Sequence, residues 1–226
     1  MKVIFKNAVT IAGKDLSNEL KSKQTIGIML IFSALVILVF SFAFDPTNQT
    51  IKSVIPGLIW VVTIFSGLLG LNRSFASELE NDCLSGLRTA PIDAVSIHLG
   101  KVIANFVLVS IVQLISIPLL FLLFDYRFTG SFLLLIITLI LGTLGFIVIG
   151  TFLAAIAVNA KNSEMLLPVL LLPMISPLII ASVQATKMVA DEKIGDALSW
   201  IQLMGGYDLL FIVVCFLLCE FVMEDF

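Results

Sequence analysis

At 226 residues the chain has the length of one or two soluble domains, yet 59% of it is hydrophobic and only 13% charged, against about a quarter charged in soluble globular proteins. The net charge of -3 and a pI near 5.1 exclude the positive footprint of a nucleic-acid binder, and a lipid bilayer is the partner this composition implies. Cys83, Cys215 and Cys219 match neither a disulfide framework nor a zinc pattern and read as small hydrophobes.

Residues 1–24 form a polar leader in which Ile4, Ala8, Ile11, Ala12 and Leu16 make an apolar stripe at helical spacing, with Lys6, Lys14, Asp15, Asn18 and Lys21 elsewhere around the helix. That pattern predicts an amphipathic helix lying at the headgroup level. A first span follows at about 26–44, closed by Asp45-Pro46. Ser41-Phe42-Ala43 loosely resembles a signal-processing site, but the apolar stretch exceeds a signal core and the leader is long, so the span is expected to be retained. The second span, about 54–71, contains Gly67 and Gly70 and ends at Asn72-Arg73.

The segment from Asn72 to Lys101 is the most patterned polar stretch. Phe75, Leu79, Cys83 and Leu87 recur every four residues while Glu78, Asp82 and Ser85 take other faces, and Ser77 with Glu80 fits a capping box. A short amphipathic helix is predicted there, stopped by Thr89-Ala90-Pro91, with Pro91 able to start the next one. Such a lever beneath the membrane is what a soluble motor subunit could grip.

Beyond it come a span at about 102–124, containing Gln113, and another at about 132–158, where Gly142, Gly145 and Gly150 allow close helix approach. The fifth, about 166–183, carries Pro168, Pro173 and Pro177 and is expected to be kinked or broken. The sixth, about 207–223, begins within the Gly205-Gly206-Tyr207 turn. Gln184 to Gly206 is then the largest outer loop, with a short interfacial helix near Trp200. Nine Lys and Arg fall on the leader, the second and fourth loops and the tail, against four on the other loops. Both termini therefore read as cytoplasmic.

Several chemistries are missing. The first five spans hold no ionisable group, and Asp208 and Glu220 are placed at the two ends of the sixth, which disfavours an ion-driven transporter. The single histidine, His98, is expected at the cytoplasmic surface rather than as a ligand. No metalloprotease helix, nucleophile elbow or phosphate-binding loop is present, since Gly100-Lys101 is followed by Val102. Energy for any transport has to come from another subunit.

From Pro56 to Lys101 the chain resembles the haem exporter protein B (CcmB) family. The resemblance rests on Pro56-Gly57-Leu58-Ile59-Trp60, on Gly67 through Phe75, on Glu78-Leu79-Glu80-Asn81-Asp82-Cys83-Leu84, on Ala90-Pro91 and on Gly100-Lys101. It extends to Leu141-Gly142-Thr143 and to Leu172-Pro173 with Pro177. Asn72, Asn81-Asp82-Cys83 and Ala90 depart from the family's aspartate, Glu-Asp-Gly and serine.

The resemblance implies an all-α membrane protein and a single ABC-2-type permease domain over 1–226, with six spans, an N-terminal interfacial helix and a cytoplasmic coupling helix. It would be a homodimer in the bacterial inner membrane, driven by a separate ABC ATPase of the CcmA type and assembled with CcmC-type and CcmD-type proteins and the haem chaperone CcmE. ATP would sit on the partner, and haem would be the handled species. Arg73, Phe75, Glu78, Leu79, Glu80, Asp82, Leu87, Pro91 and Lys101 are the expected ATPase-coupling residues. The five glycines and three prolines are assigned to helix packing or to a pathway, with no catalytic or metal-binding residue. The expected outer loops hold no histidine, so an axial haem ligand would be a methionine such as Met188 or Met204, or this chain supplies none. Alternatives are a lipid or polysaccharide permease of the same class and a non-transporting scaffold.

Overall fold

A computed structural model describes residues 2–44, 50–80, 93–158 and 163–224, and every regular element among them is an α-helix. In chain order these are α1 (Lys2–Ser22), α2 (Gln24–Ala43), α3 (Thr50–Glu80), α4 (Ala94–Leu123), α5 (Phe132–Val158), α6 (Ser163–Ala190) and α7 (Ile194–Glu224). All but α1 are long and apolar enough to cross a membrane, giving six spans. In hydrocarbon only a helix or a closed barrel satisfies its backbone internally, so uncharged runs of this length become helices whatever their intrinsic propensity.

The helices are joined by tight turns. Lys23, at φ 54, separates α1 from α2, and the Ile26 amide in the first turn of α2 donates to Glu19 Oε1 at 2.9 Å. Left-handed Asp125 and Glu192 end α4 and α6 with Schellman-type bonds from Tyr126 N to Phe121 O and from Lys193 N to Met188 O, each 2.9 Å.

α5 is the central helix: nearly every residue from Gly142 to Ala155 is buried. Around it, α6 and α7 pack against α5 and each other, while α3 and α4 cover its other side and α2 lies outermost against α3 and α4. The main core joins Trp60 and Leu71 of α3, Phe146 and Ile149 of α5, and Leu171 and Ile175 of α6. α2 and α7 keep broad apolar faces outward, as helices facing lipid do.

Several expectations are corrected. The second span does not stop at Asn72-Arg73, because polar residues end a membrane crossing without ending a helix; α3 runs on to Glu80 and places Ser77 inside a helix rather than at its cap. α4 begins at Ala94, ahead of the expected 102. Pro168, Pro173 and Pro177 all lie within one unbroken helix. Pro177 has no amide for the Pro173 carbonyl, and Ser176 Oγ donates to that oxygen instead, at 2.9 Å. Gly205-Gly206-Tyr207 is not a turn but the interior of α7, which starts at Ile194 and leaves only residues 191–193 between α6 and α7. A helical glycine costs only about 1 kcal/mol, too little to break so long an apolar helix. The leader is helical, but its stripe faces protein: Ala8, Ile11 and Ala12 are buried and α1 packs along α4.

Candidate functional site

α4 presents a polar stripe to the interior of the bundle. His98, Lys101, Asn105, Gln113 and Ser116 are all buried on it. Burying a polar group in an apolar setting is costly unless it is hydrogen-bonded, and most of the stripe has a partner on another helix. Lys101 Nζ lies 3.0 Å from Asp15 Oδ2 of α1. Asn105 Nδ2 reaches Thr151 Oγ1 of α5 at 3.5 Å. Gln113 Nε2 donates both to Thr143 Oγ1 of α5 at 2.8 Å and to Thr63 Oγ1 of α3 at 3.2 Å, so one amide ties three helices. Beside it, Thr63, Ser66, Gln113 and Ser116 help line a cavity of about 10 Å³, roughly the room one water needs.

The network continues on α6, where Trp60 Nε1 donates to Thr186 Oγ1 at 2.9 Å and Thr186 passes its own proton to Ser182 O at 2.7 Å. Each of the five glycines named from the sequence sits where a Cβ would collide with a neighbour. At Gly142 it would lie 2.1 Å from Trp60 Cη2, at Gly145 2.1 Å from Asp208 Oδ1, and at Gly150 2.5 Å from Leu71 Cδ1. At Gly67 it would meet Phe146 Cε1 at 2.5 Å, and at Gly70 Met29 Sδ at 2.8 Å. Pro168 is half-buried, whereas Pro173 and Pro177 are exposed and line no interior path.

At the end of the bundle that carries α1, two contacts bracket the segment that leaves α3 and enters α4. Arg73 donates to Gln24 Oε1 at the start of α2. Lys101 pairs with Asp15, and one turn of α4 is seated directly on α1: a Cβ at Gly100 would lie 2.8 Å from Ile11 Cβ and 2.9 Å from Ala8 O. Of the other expected coupling residues, the side chains of Phe75, Glu78, Leu79 and Glu80, and all of Asp82, Leu87 and Pro91, lie outside the described residues.

Three side chains are not where the sequence placed them. His98 is buried, with its ring edge-on to Phe152 at 6.2 Å between centroids. Met204 is fully buried in α7 beside Ser182 and faces no outer loop. Asp208 lies within the sixth span rather than at its entrance, and is 3% exposed. Among the described residues no cluster of His, Cys, Asp or Glu has the makings of a metal site. Sequence reasoning singled out Gln113, Lys101 and His98 separately but missed Asn105; the spacing of Lys101 and Asn105, at i and i+4, was the available signal that they share a helix face.

The chain matches the family model described as CcmB protein over residues 6–223. It is 28% identical over 181 residues to the heme exporter protein B of Rhodobacter capsulatus, covering 80% of this chain and 83% of that protein. The heme exporter protein B of Paracoccus denitrificans is 29% identical over 174 residues, 77% of this chain and 79% of that protein. That of Pseudomonas aeruginosa is 30% identical over 151 residues, 67% of each.

Proposed function

This chain belongs to the CcmB protein family, and on that premise we propose that it is the permease subunit of an ABC transporter complex in cytochrome c biogenesis. It couples ATP hydrolysis by a separate subunit to haem export or to release of a haem-loaded chaperone. The family match over nearly the whole chain, on a six-span body, carries this reading. The protein works as a homodimer in the bacterial inner membrane with both termini cytoplasmic, beside a CcmA-type ATPase, CcmC-type and CcmD-type proteins and the chaperone CcmE.

The ATPase grips the segment between α3 and α4. Force applied there enters the membrane at two points. On the α3 side Arg73 is bonded to Gln24 and so to the start of α2; on the α4 side Lys101 and Gly100 are fastened to α1. Because α4 continues as the polar stripe through Asn105 and Gln113, a shift of its cytoplasmic end is felt by α5 and α3 at defined hydrogen bonds. Haem is the handled species; on this chain Met204 is enclosed in the core and His98 is buried beside Phe152, which leaves the half-buried Met188 of the two methionines named from the sequence.

Charge reversal of Glu78, Glu80 and Asp82 together is expected to weaken co-purification of the ATPase from native membranes and to lower its hydrolysis rate. Unchanged association and rate would overturn the coupling assignment. Recovery of the ATPase without any haem-binding membrane protein would instead point to a lipid or polysaccharide permease.

A further inference from the structure

Asp208 is a buried acid that the coupling scheme above does not involve. It lies fourteen residues into α7, about 21 Å below the outer end of that helix at 1.5 Å per residue, well inside the span Ile194–Cys219. Its carboxyl is wedged between α5 and α6. A Cβ at Gly145 would lie 2.1 Å from Oδ1, and 2.7 Å from Leu178 Cδ2. Both carboxyl oxygens are buried and neither has a hydrogen-bond partner among the described residues.

The charged and titratable groups on the surrounding helices do not compensate. α5 has none in its sequence. α6 has Glu164 and Lys187, both near its ends; Lys187 is nine residues from Leu178, about 13 Å along the helix. α4 has His98, against Phe152, and Lys101, paired with Asp15. On α7 itself the adjacent Tyr207 donates its hydroxyl proton to Met174 O, and Cys215 lies two turns away. An acid in this position is costly to bury, and such residues mark functional sites by default. A carboxylate with neither cation nor donor would cost far more than the neutral acid.

We propose that Asp208 is an intramembrane proton-binding site: the carboxyl carries a proton while α7 is seated on Gly145, and gives it up when α7 separates from α5 and water reaches it. Gly145 is the residue that makes the seat, since any larger side chain would occupy the space of Oδ1. Protonation of Asp208 and the packing of α7 on α5 are thereby linked, and a conformational cycle that parts these helices exchanges a proton. This inference stands on the geometry of α5, α6 and α7 and is independent of the haem assignment.

Infrared difference spectroscopy of the full chain in lipid vesicles at neutral pH, wild type minus Asp208→Asn, tests it directly. The expected result is the carbonyl stretching band of a protonated carboxyl, shifted in D₂O and absent from the variant. Carboxylate bands in its place would overturn the proposal and would mean that a cation of a second subunit holds the group ionised. A hydrophobic carbodiimide supplies a second readout. The acid O–H proton moves to one carbodiimide nitrogen and the carboxyl oxygen bonds the central carbon. The acyl group then shifts from oxygen to nitrogen, leaving a stable N-acylurea with no group expelled. Modification mapped to the peptide containing Asp208, and lost in Asp208→Asn, is expected. The adduct does not fit beside Gly145, so its formation reports the parted helices; a protonated carboxyl that is never modified would overturn the exchange step while leaving the proton site standing.

Discussion

Replacing Lys101 by methionine should detach α1 from α4, and its size can be worked from the contact. With Nζ 3.0 Å from Asp15 Oδ2, an effective dielectric of about 20 gives an attraction of about 5 kcal/mol. Desolvation offsets most of that gain, because Lys101 is 3% and Asp15 16% exposed at the side chain. Removing one partner leaves the other's buried charge less compensated, and breaking a buried pair in this way costs up to about 3–5 kcal/mol. Lys101→Met and Asp15→Ala are both expected to destabilise, by up to that amount. The double variant Asp15→Leu/Lys101→Met removes both charges and should lose much less than the sum. Denaturant unfolding in detergent, followed by the fluorescence of Trp60 and Trp200, measures all three. Single-variant losses that add within about 0.5 kcal/mol in the double variant would refute the coupling, and with it the fastening of α1 to α4.

Four further outcomes are expected. Gly142→Ala places a Cβ 2.1 Å from the Trp60 ring and 2.7 Å from Ser182 Oγ, and should destabilise by about 1–3 kcal/mol. Gly206→Ala meets nothing within 4 Å and should be neutral or stabilising by up to about 1 kcal/mol; thermal unfolding compares the two. Trp60→Phe removes the bond to Thr186 and should cost at least about 0.6 kcal/mol, the average measured for hydrogen bonds between membrane helices, with Thr186→Val removing that part of the difference between Trp and Phe. The Tyr126 phenol, between α4 and α5, is pushed above the ordinary tyrosine range first by burial and then by the negative charge of Asp191. Its folded-state value lies above the unfolded one, so its contribution to stability is complete below about pH 10 and is lost as pH rises through the folded value. Ultraviolet difference titration of the wild type against Asp191→Asn should show the Tyr126 phenol ionising earlier in the variant.

How much was legible beforehand differs from element to element. The span of α5 could be read to the residue, because an uncharged run bounded by polar residues on both sides has one reading in a bilayer. The ends of α3 and α7 could not. Asn72-Arg73 and Gly205-Gly206 carry the local signals of an exit and a turn, but a helix already supported by its neighbours continues through polar and glycine residues at a cost of about 1 kcal/mol or less each. Misplacing the start of α7 then moved Asp208 to the membrane surface and concealed it. The leader's apolar stripe was visible as a stripe; that it faces α4 rather than lipid was not, since the two surfaces are equally apolar to Ile11.

The sequence by itself determined the class of the protein: composition and run length require six membrane helices, and the motifs from Pro56 to Lys101 specify the family. Only the tertiary structure decided which side chains meet. Lys101 with Asp15, Gln113 with Thr63 and Thr143, Trp60 with Thr186, and Asp208 with Gly145 are pairings across different helices. Periodicity gives the face on which a residue lies but not the neighbour it faces; that is set by the rotation and depth of each helix, which the packing of glycines against bulky side chains fixes for the bundle as a whole.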